Sequence, residues 1–315
     1  MLKKQTEGEN KVKKTFAISV CLLIAAFALR AQGVSALFLD VNTDVKVLST
    51  AGSSAAVATD GAFLLRNNAA ASALSDKRFA VGASYGIWMP GSTAATVVSL
   101  AADSRLGKRL GVAVDINYFS YKPVELSNTE GVYYGSITPN DISVSAGLSY
   151  RIVGGLSAGL NLRWLRSEIG APKAGTAFAA DLGMLYRLKA FRAGFQLSNV
   201  GSKLDFGGSS SYSLPSRLEF AAGYMLGDKA KHGLDISAAA DMYLQDSAVA
   251  VSAGLKYEFK SLLWFAGGYK LALSDSLPSF ASLGAGFSVF GLELGAAYVL
   301  FPSDSTLMFN LSYSF

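Results

Sequence analysis

STLMFNLSYSF, residues 305–315, decides the fold. Leu307, Phe309, Leu311, Tyr313 and Phe315 alternate with Met308, Asn310, Ser312 and Ser314, so an extended backbone puts oily side chains on one face and mostly small or polar ones on the other. The same two-residue rhythm runs backwards through the chain. Leu110, Val112, Val114, Ile116 and Tyr118 interleave with Gly111, Ala113, Asp115 and Asn117, and Leu234, Ile236, Ala238, Ala240 and Met242 interleave with Asp235, Ser237, Ala239 and Asp241. Leu156, Leu160, Leu162 and Trp164 repeat the pattern against Ser157, Gly159, Asn161 and Arg163. Helical spacing fits none of these segments.

Alternation alone does not separate a soluble sandwich from a barrel in lipid. Three features favour the membrane. Aromatic residues gather at predicted strand ends, among them Tyr118, Tyr150, Trp164, Tyr186, Tyr224, Tyr257 and Tyr298, where an interfacial girdle belongs. The polar face is rich in Gly, Ala and Ser with scattered charges, which suits a crowded interior. The third feature is an export signal. The Lys-rich start of MLKKQTEGENKVKKTFAISVCLLIAAFALRAQG leads into an apolar run from Phe16 to Leu29, and cleavage is expected after Ala31 or Ala36. An N-terminal anchor is the competing reading, disfavoured because the run is short and ends at Arg30.

Alternating segments begin near residues 78, 94, 109, 141, 155, 176, 191, 216, 233, 248, 262, 280, 292 and 306, which predicts about fourteen strands. The even number is the one that single-chain bacterial barrels require. Connection lengths agree with a barrel that has both termini in the periplasm. RIVGG (151–155), LKA (188–190), GDKAKH (227–232) and FG (290–291) are short, whereas 120–140 and 199–215 are long. The expected class is therefore all-β: a transmembrane antiparallel β-barrel over 78–315, preceded by a signal over 1–36 and an Ala- and Ser-rich segment over 37–77 that enters the lumen as a plug.

Composition removes other classes. Of 315 residues, 51% are hydrophobic and 16% charged, yet no run beyond residue 30 approaches the ~20 apolar residues of a spanning helix. The basic balance sits largely in the signal, in Lys3, Lys4, Lys11, Lys13, Lys14 and Arg30, so the mature chain is nearly neutral and no nucleic-acid partner is expected. The sole cysteine, Cys21, lies inside the apolar run, which leaves the mature protein without a thiol.

GASYG, residues 82–86, matches the Gly-x-Ser-x-Gly pattern of hydrolases. That pattern needs a strand, a sharp turn and a helix, but Ser84 lies inside Phe79, Val81, Ala83, Tyr85, Ile87 alternation. The only histidine, His232, belongs to a short turn. No enzyme and no cofactor is expected. Asp115, Asp181, Glu219, Asp235, Asp241, Glu258 and Glu293 fall on the inner face with Arg163, Arg192 and Lys256, and are expected to form a lumen polar network more readily than a ligand site.

Several segments resemble the PorV and PorQ outer-membrane proteins of Bacteroidetes, most closely PorV. They are FLDVNTDVKVLSTAGSSAAVATD (38–60), ITPNDISVSAGLSYR (137–151), LRWLRSEIG (162–170), GTAFAADLGMLYR (175–187), FQLSNVGSKLDF (195–206), LPSRLEF (214–220) and STLMFNLSYSF. RNNAAASAL (66–74), Thr43 and the short LQDSAV (244–249) depart from that pattern. The terminal Phe315 is similar to the signal by which barrels are recognised for insertion. The resemblance implies the fourteen-stranded fold of FadL-type transporters and a place in type IX secretion. There, a barrel mouth receives the C-terminal signal domain of cargo, or translocon and attachment-complex partners, without bond making. Tyr121, Tyr133, Tyr134, Phe206 and Tyr212 are then the candidate partner-binding residues of the outer loops. A FadL-like channel for small hydrophobic molecules, or a structural barrel subunit of another surface complex, are the alternatives. Apart from outer-membrane lipid and these proteins, no partner is implied.

Overall fold

The structure is a computed structural model describing residues 35–88, 94–127, 133–170, 173–207, 211–302 and 304–315. The expected export signal, Cys21 and the cleavage option after Ala31 lie outside the described residues. The expected closed barrel is present, and every expected strand begins within one residue of the observed one.

In chain order the strands are β1 (Phe79–Trp88), β2 (Ala95–Leu106), β3 (Leu110–Tyr121), β4 (Val124–Ser127), β5 (Tyr133–Ile137), β6 (Asn140–Val153), β7 (Leu156–Glu168), β8 (Gly175–Leu188) and β9 (Phe191–Gly201). They continue with β10 (Leu204–Asp205), β11 (Ser211–Tyr212), β12 (Arg217–Asp228), β13 (His232–Tyr243), β14 (Ala248–Phe259), β15 (Leu263–Ala272), β16 (Phe280–Val289), β17 (Leu292–Leu300) and β18 (Ser305–Ser314). β4 pairs only with β5 and β10 only with β11, as two small hairpins; the other fourteen form the barrel. Neighbours are antiparallel throughout, and β1 closes the ring against β18 from Ala80↔Ser314 to Ile87↔Leu307. Closure pairs every backbone edge, which a sheet in hydrocarbon requires.

The faces are the reverse of those of a soluble sandwich. Phe178 is 67% exposed, Phe220 58% and Leu283 59%, all pointing away from the lumen, while Ser84, Ser99, Asn117, Ser143 and Asn161 point inward and are buried. An apolar belt of this extent is stable only against lipid. All turns at one end are short, and both hairpins and the longer connections lie at the other. By the usual asymmetry of such barrels the short-turn end is periplasmic and the long-loop end faces outward.

The segment before β1 fills the lumen. Short helices at Val45–Ser49 and Leu64–Asn67 and three 3-10 turns are joined by loops. Asp44 caps the first helix by accepting the Lys46 N–H at 3.0 Å. Ala56, Val57, Leu64, Ala70 and Ala71 are fully buried, packed with inward Leu185, Ala221 and Ala239. Glycines in the wall make this fit possible: a Cβ on Gly159 would lie 2.0 Å from the Ala69 carbonyl oxygen, and one on Gly194 1.8 Å from that of Ala56. The Gly-rich inner face thus reflects backbone lying against backbone.

One placement departs from expectation. β1 begins and β18 ends at the short-turn end, but the segment ahead of β1 starts at the opposite mouth, where the Ser35 N–H donates to the Ser213 carbonyl at 3.0 Å and Phe38 packs on Phe119 with centroids 5.4 Å apart. From there the chain descends to Asp60, rises to Arg66 and descends again to β1.

Candidate functional site

Most buried carboxylates of the wall have a cationic or amide partner, because a lone charge in this interior costs several kcal/mol; Asp103 and Asp141 instead accept from the hydroxyls of Ser72 and Tyr121. Asp181 receives Arg163 at 2.9 Å, Asn161 at 2.7 Å and the Asn199 N–H at 2.7 Å, while Arg163 also reaches Ser145 at 3.0 Å. Asp115 pairs with Arg66 of the plug at 2.9 Å, and Arg66 donates as well to the Val41 carbonyl. Glu219 holds Arg217 at 3.2 Å and accepts the Ala56 N–H at 3.0 Å, and Asp241 holds Lys270 at 2.7 Å. Lower in the lumen Arg192 pairs with Asp235, Lys256 with Glu258 at 2.7 Å, and Glu293 with Lys46 at 2.6 Å. Lys229 reaches from the short-turn end to Asp60 at 3.3 Å. The positive charge of Lys229, helped by Lys46, Lys256 and Arg192, holds the Asp60 carboxyl well below the usual carboxylate range against the opposing effect of burial.

Sequence reasoning missed Arg66 and Lys46, which carry no periodic signal, and also Arg217 and Lys270. The last two were readable: Arg217 shares the parity of Glu219, and Lys270 stands between outward Tyr269 and Leu271. Ser84 is buried in mid-strand, opposite Asn310 and Ser99, and His232 begins β13 with its Nδ1 2.6 Å from the Tyr257 hydroxyl. Neither has the surroundings of a hydrolytic site.

At the outer mouth the five candidate residues have different fates. Tyr133 is 58% exposed on the β4–β5 hairpin, and Tyr212 is exposed on the β10–β11 hairpin. Tyr121 ends β3, and its hydroxyl donates to Asp141 at 2.6 Å, so it belongs to the wall. Phe206 is buried with Leu204 and Leu214 and stacks edge-on to Tyr212 at 6.0 Å, so it anchors its hairpin. Tyr134 lies in β5, and its side chain falls outside the described residues. Beneath the loops lies a cavity of about 260 Å³. Leu37, Leu39, Trp88, Phe280 and Phe301 supply apolar walls, and Arg217, Asp241 and Lys270 supply ionic ones.

Fold and site together define a plugged outer-membrane β-barrel with a charged lumen and two small hairpins at its outer mouth. Residues 71–313 match the family model of the type IX secretion system membrane protein PorP/SprF, and the chain belongs to that family. No curated protein matches. Among solved structures the chain is similar to the toluene transporter TbuX of Ralstonia pickettii, with a TM-score of 0.62, 12% identity, and coverage of 88% of this chain and 99% of that one. A FadL homologue of Pseudomonas aeruginosa gives 0.60 at 12% identity, covering 87% and 98%. The toluene transporter TodX of Pseudomonas putida gives 0.59 at 13%, covering 91% and 98%. At such identities the likeness concerns the fold. The family is that of a type IX secretion membrane protein, and the shared fold is a closed barrel.

Proposed function

We propose that this barrel is a PorV-like binding protein of type IX secretion, engaging cargo signal domains or translocon partners at its outer mouth. The observation that carries this reading is the plug. Its backbone lies directly against inner-face glycines and its side chains complete the ion pairs of the wall, so a route through the lumen requires dismantling that packing. Recognition then takes place across the mouth. Tyr133 and Tyr212 offer the amphipathic surface suited to protein recognition, and Phe206 and Tyr121 hold the hairpins that present them.

The test uses the full barrel in detergent with a purified C-terminal signal domain from a type IX substrate. Binding is expected, with Tyr133→Ala plus Tyr212→Ala weakening it by at least about tenfold, the range of a lost aromatic anchor. Affinity isolation from native outer membrane that recovers lipid and no secretion protein overturns the reading.

A second reading has its own observation. The apolar cavity under the loops, together with solved neighbours described as toluene transporters, suits a small hydrophobic molecule held above the ionic floor. A bound hydrophobic compound retained through purification, in the absence of any secretion partner, favours it. A deletion strain unaltered in both secretion and hydrophobic uptake leaves a structural subunit.

A further inference from the structure

The short-turn end carries charge that the lumen network does not consume. Its connections expose Lys108 and Arg109 after β2, Lys189 after β8, Lys231 after β12 and Lys260 after β14, against the exposed carboxylates of Asp76 ahead of β1 and Asp228 at the end of β12. At the opposite mouth the connections mix exposed Asp205, Asp246 and Asp275 with exposed Lys122, Lys173 and Lys203, and Lys173 pairs with Asp205 at 2.9 Å. The asymmetry is sharpest on the inner rim. Arg105, Arg151 and Arg187 occupy inner-face positions at the ends of β2, β6 and β8, beside outward Leu106, Ile152 and Leu188. Arg187 has Asp76 at 3.0 Å, but that carboxylate is 66% exposed. The Nε atoms of Arg105 and Arg151 are buried without a hydrogen-bond partner, and Arg151 is acted on by the positive charges of both Arg187 and Arg105.

Three guanidinium groups gathered around one half-free carboxylate form a site short of anions. Their parity decides which anion reaches it. Being on the inner face, they open onto the aqueous mouth, whereas the lipid-water boundary at this end is held by outward Tyr150 and Tyr186. Planar guanidinium forks match carboxylates two donors at a time. We propose that the periplasmic mouth of the barrel is a docking surface for an acidic segment of a periplasmic protein, whose Asp and Glu carboxylates are taken by Arg105, Arg151 and Arg187. The surrounding lysines raise the rate of encounter through their field. This surface depends on the orientation of the barrel and is independent of what binds the outer mouth.

The test uses the full protein in phosphatidylcholine nanodiscs and a fluorescein-labelled Glu-rich peptide, read by anisotropy at low and high salt. Salt-sensitive binding is expected. Arg105→Gln, Arg151→Gln and Arg187→Gln combined should weaken it by at least about tenfold, equivalent to losing one charge-assisted hydrogen bond. Lys108→Gln with Lys260→Gln should weaken it by less than about threefold, as for peripheral charges. Heat-modifiable gel migration verifies folding of each variant. As a second measurement that needs no arginine variant, a photocrosslinking residue at Ala190 should capture the peptide and one at Asp246 should not. The proposal is overturned if wild-type protein ignores the peptide, if the lysine pair matters as much as the arginines, or if crosslinking favours position 246. It is equally overturned if inorganic phosphate, or phosphatidylglycerol in the disc, displaces the peptide at concentrations where free glutamate-rich peptide does not.

Discussion

Arg163 and Asp181 illustrate what a buried ion pair does in this molecule. Each is almost without solvent, and Asn161, Ser145 and the Asn199 backbone satisfy donors and lone pairs that the pair leaves over. Arg163→Met strands Asp181, and the expected loss is about 3–5 kcal/mol. Adding Asp181→Leu to that variant should return most of the loss, because two matched apolar groups no longer leave a charge unpaired. Guanidinium unfolding in lipid vesicles measures both. Ser35 and Ala36 bear on the start of the mature chain. The Ser35 N–H is hydrogen-bonded to Ser213, and Ala36 is buried among the apolar residues of the outer mouth. Cleavage after Ala36 would remove both contacts, so the mature protein is expected to begin after Ala31, which intact-mass measurement of purified protein checks.

Among the elements, the strands and the presence of a plug were legible in sequence, whereas the plug's path and its ion pairs were not. A strand between lipid and a polar lumen must change character at every residue, and β18 records this from Leu307 to Tyr313 without interruption. The plug meets polar and apolar walls in no fixed period, so Arg66 and Lys46 gave no sign that they complete the pairs of Asp115 and Glu293. Phe206 was misleading for a related reason. Its Gly- and Ser-rich surroundings read as an exposed loop, yet the hairpin folds back and buries the ring. The β16–β17 turn also departs from the rule for two-residue hairpins. Phe290 stands at φ 50° and is 95% exposed in a position that Asn usually fills ahead of Gly. Phe290→Asn should stabilise the barrel by about 1 kcal/mol, seen as a raised unfolding midpoint. Asp60 makes the plug's lowest turn acid-sensitive. Because its folded pKa is depressed, the stabilisation is complete above the unfolded value of about 3.9 and disappears as pH falls through the folded value. Hydrogen exchange around Gly61 should therefore be unaltered in protection at pH 5 and begin to lose it only below about pH 4, whereas Lys229→Ala should lose it already at neutral pH.

Across the whole molecule, two opposite preferences are resolved by closing a sheet. The oily stripe faces outward, where a soluble protein would hide it, and the interior receives charges that a soluble protein would show to water. Charge is sorted along the axis as well as across the wall, with an excess of cations on the periplasmic turns and both signs on the outer connections. Sequence parity captured the first sorting because it repeats every two residues. It missed the second, since neighbouring turns lie many residues apart and only the register brings Arg105, Arg151 and Arg187 to one rim.

Asn310 sets a timetable for this protein's biogenesis. Its side chain receives the Val45 N–H at 2.5 Å and donates to the Thr43 carbonyl at 3.1 Å, tying the earliest described stretch to the final strand. An exported polypeptide arrives with that early stretch leading, and its clasp is synthesised last. The clasp on that leading stretch can therefore close only once the last strand is in place.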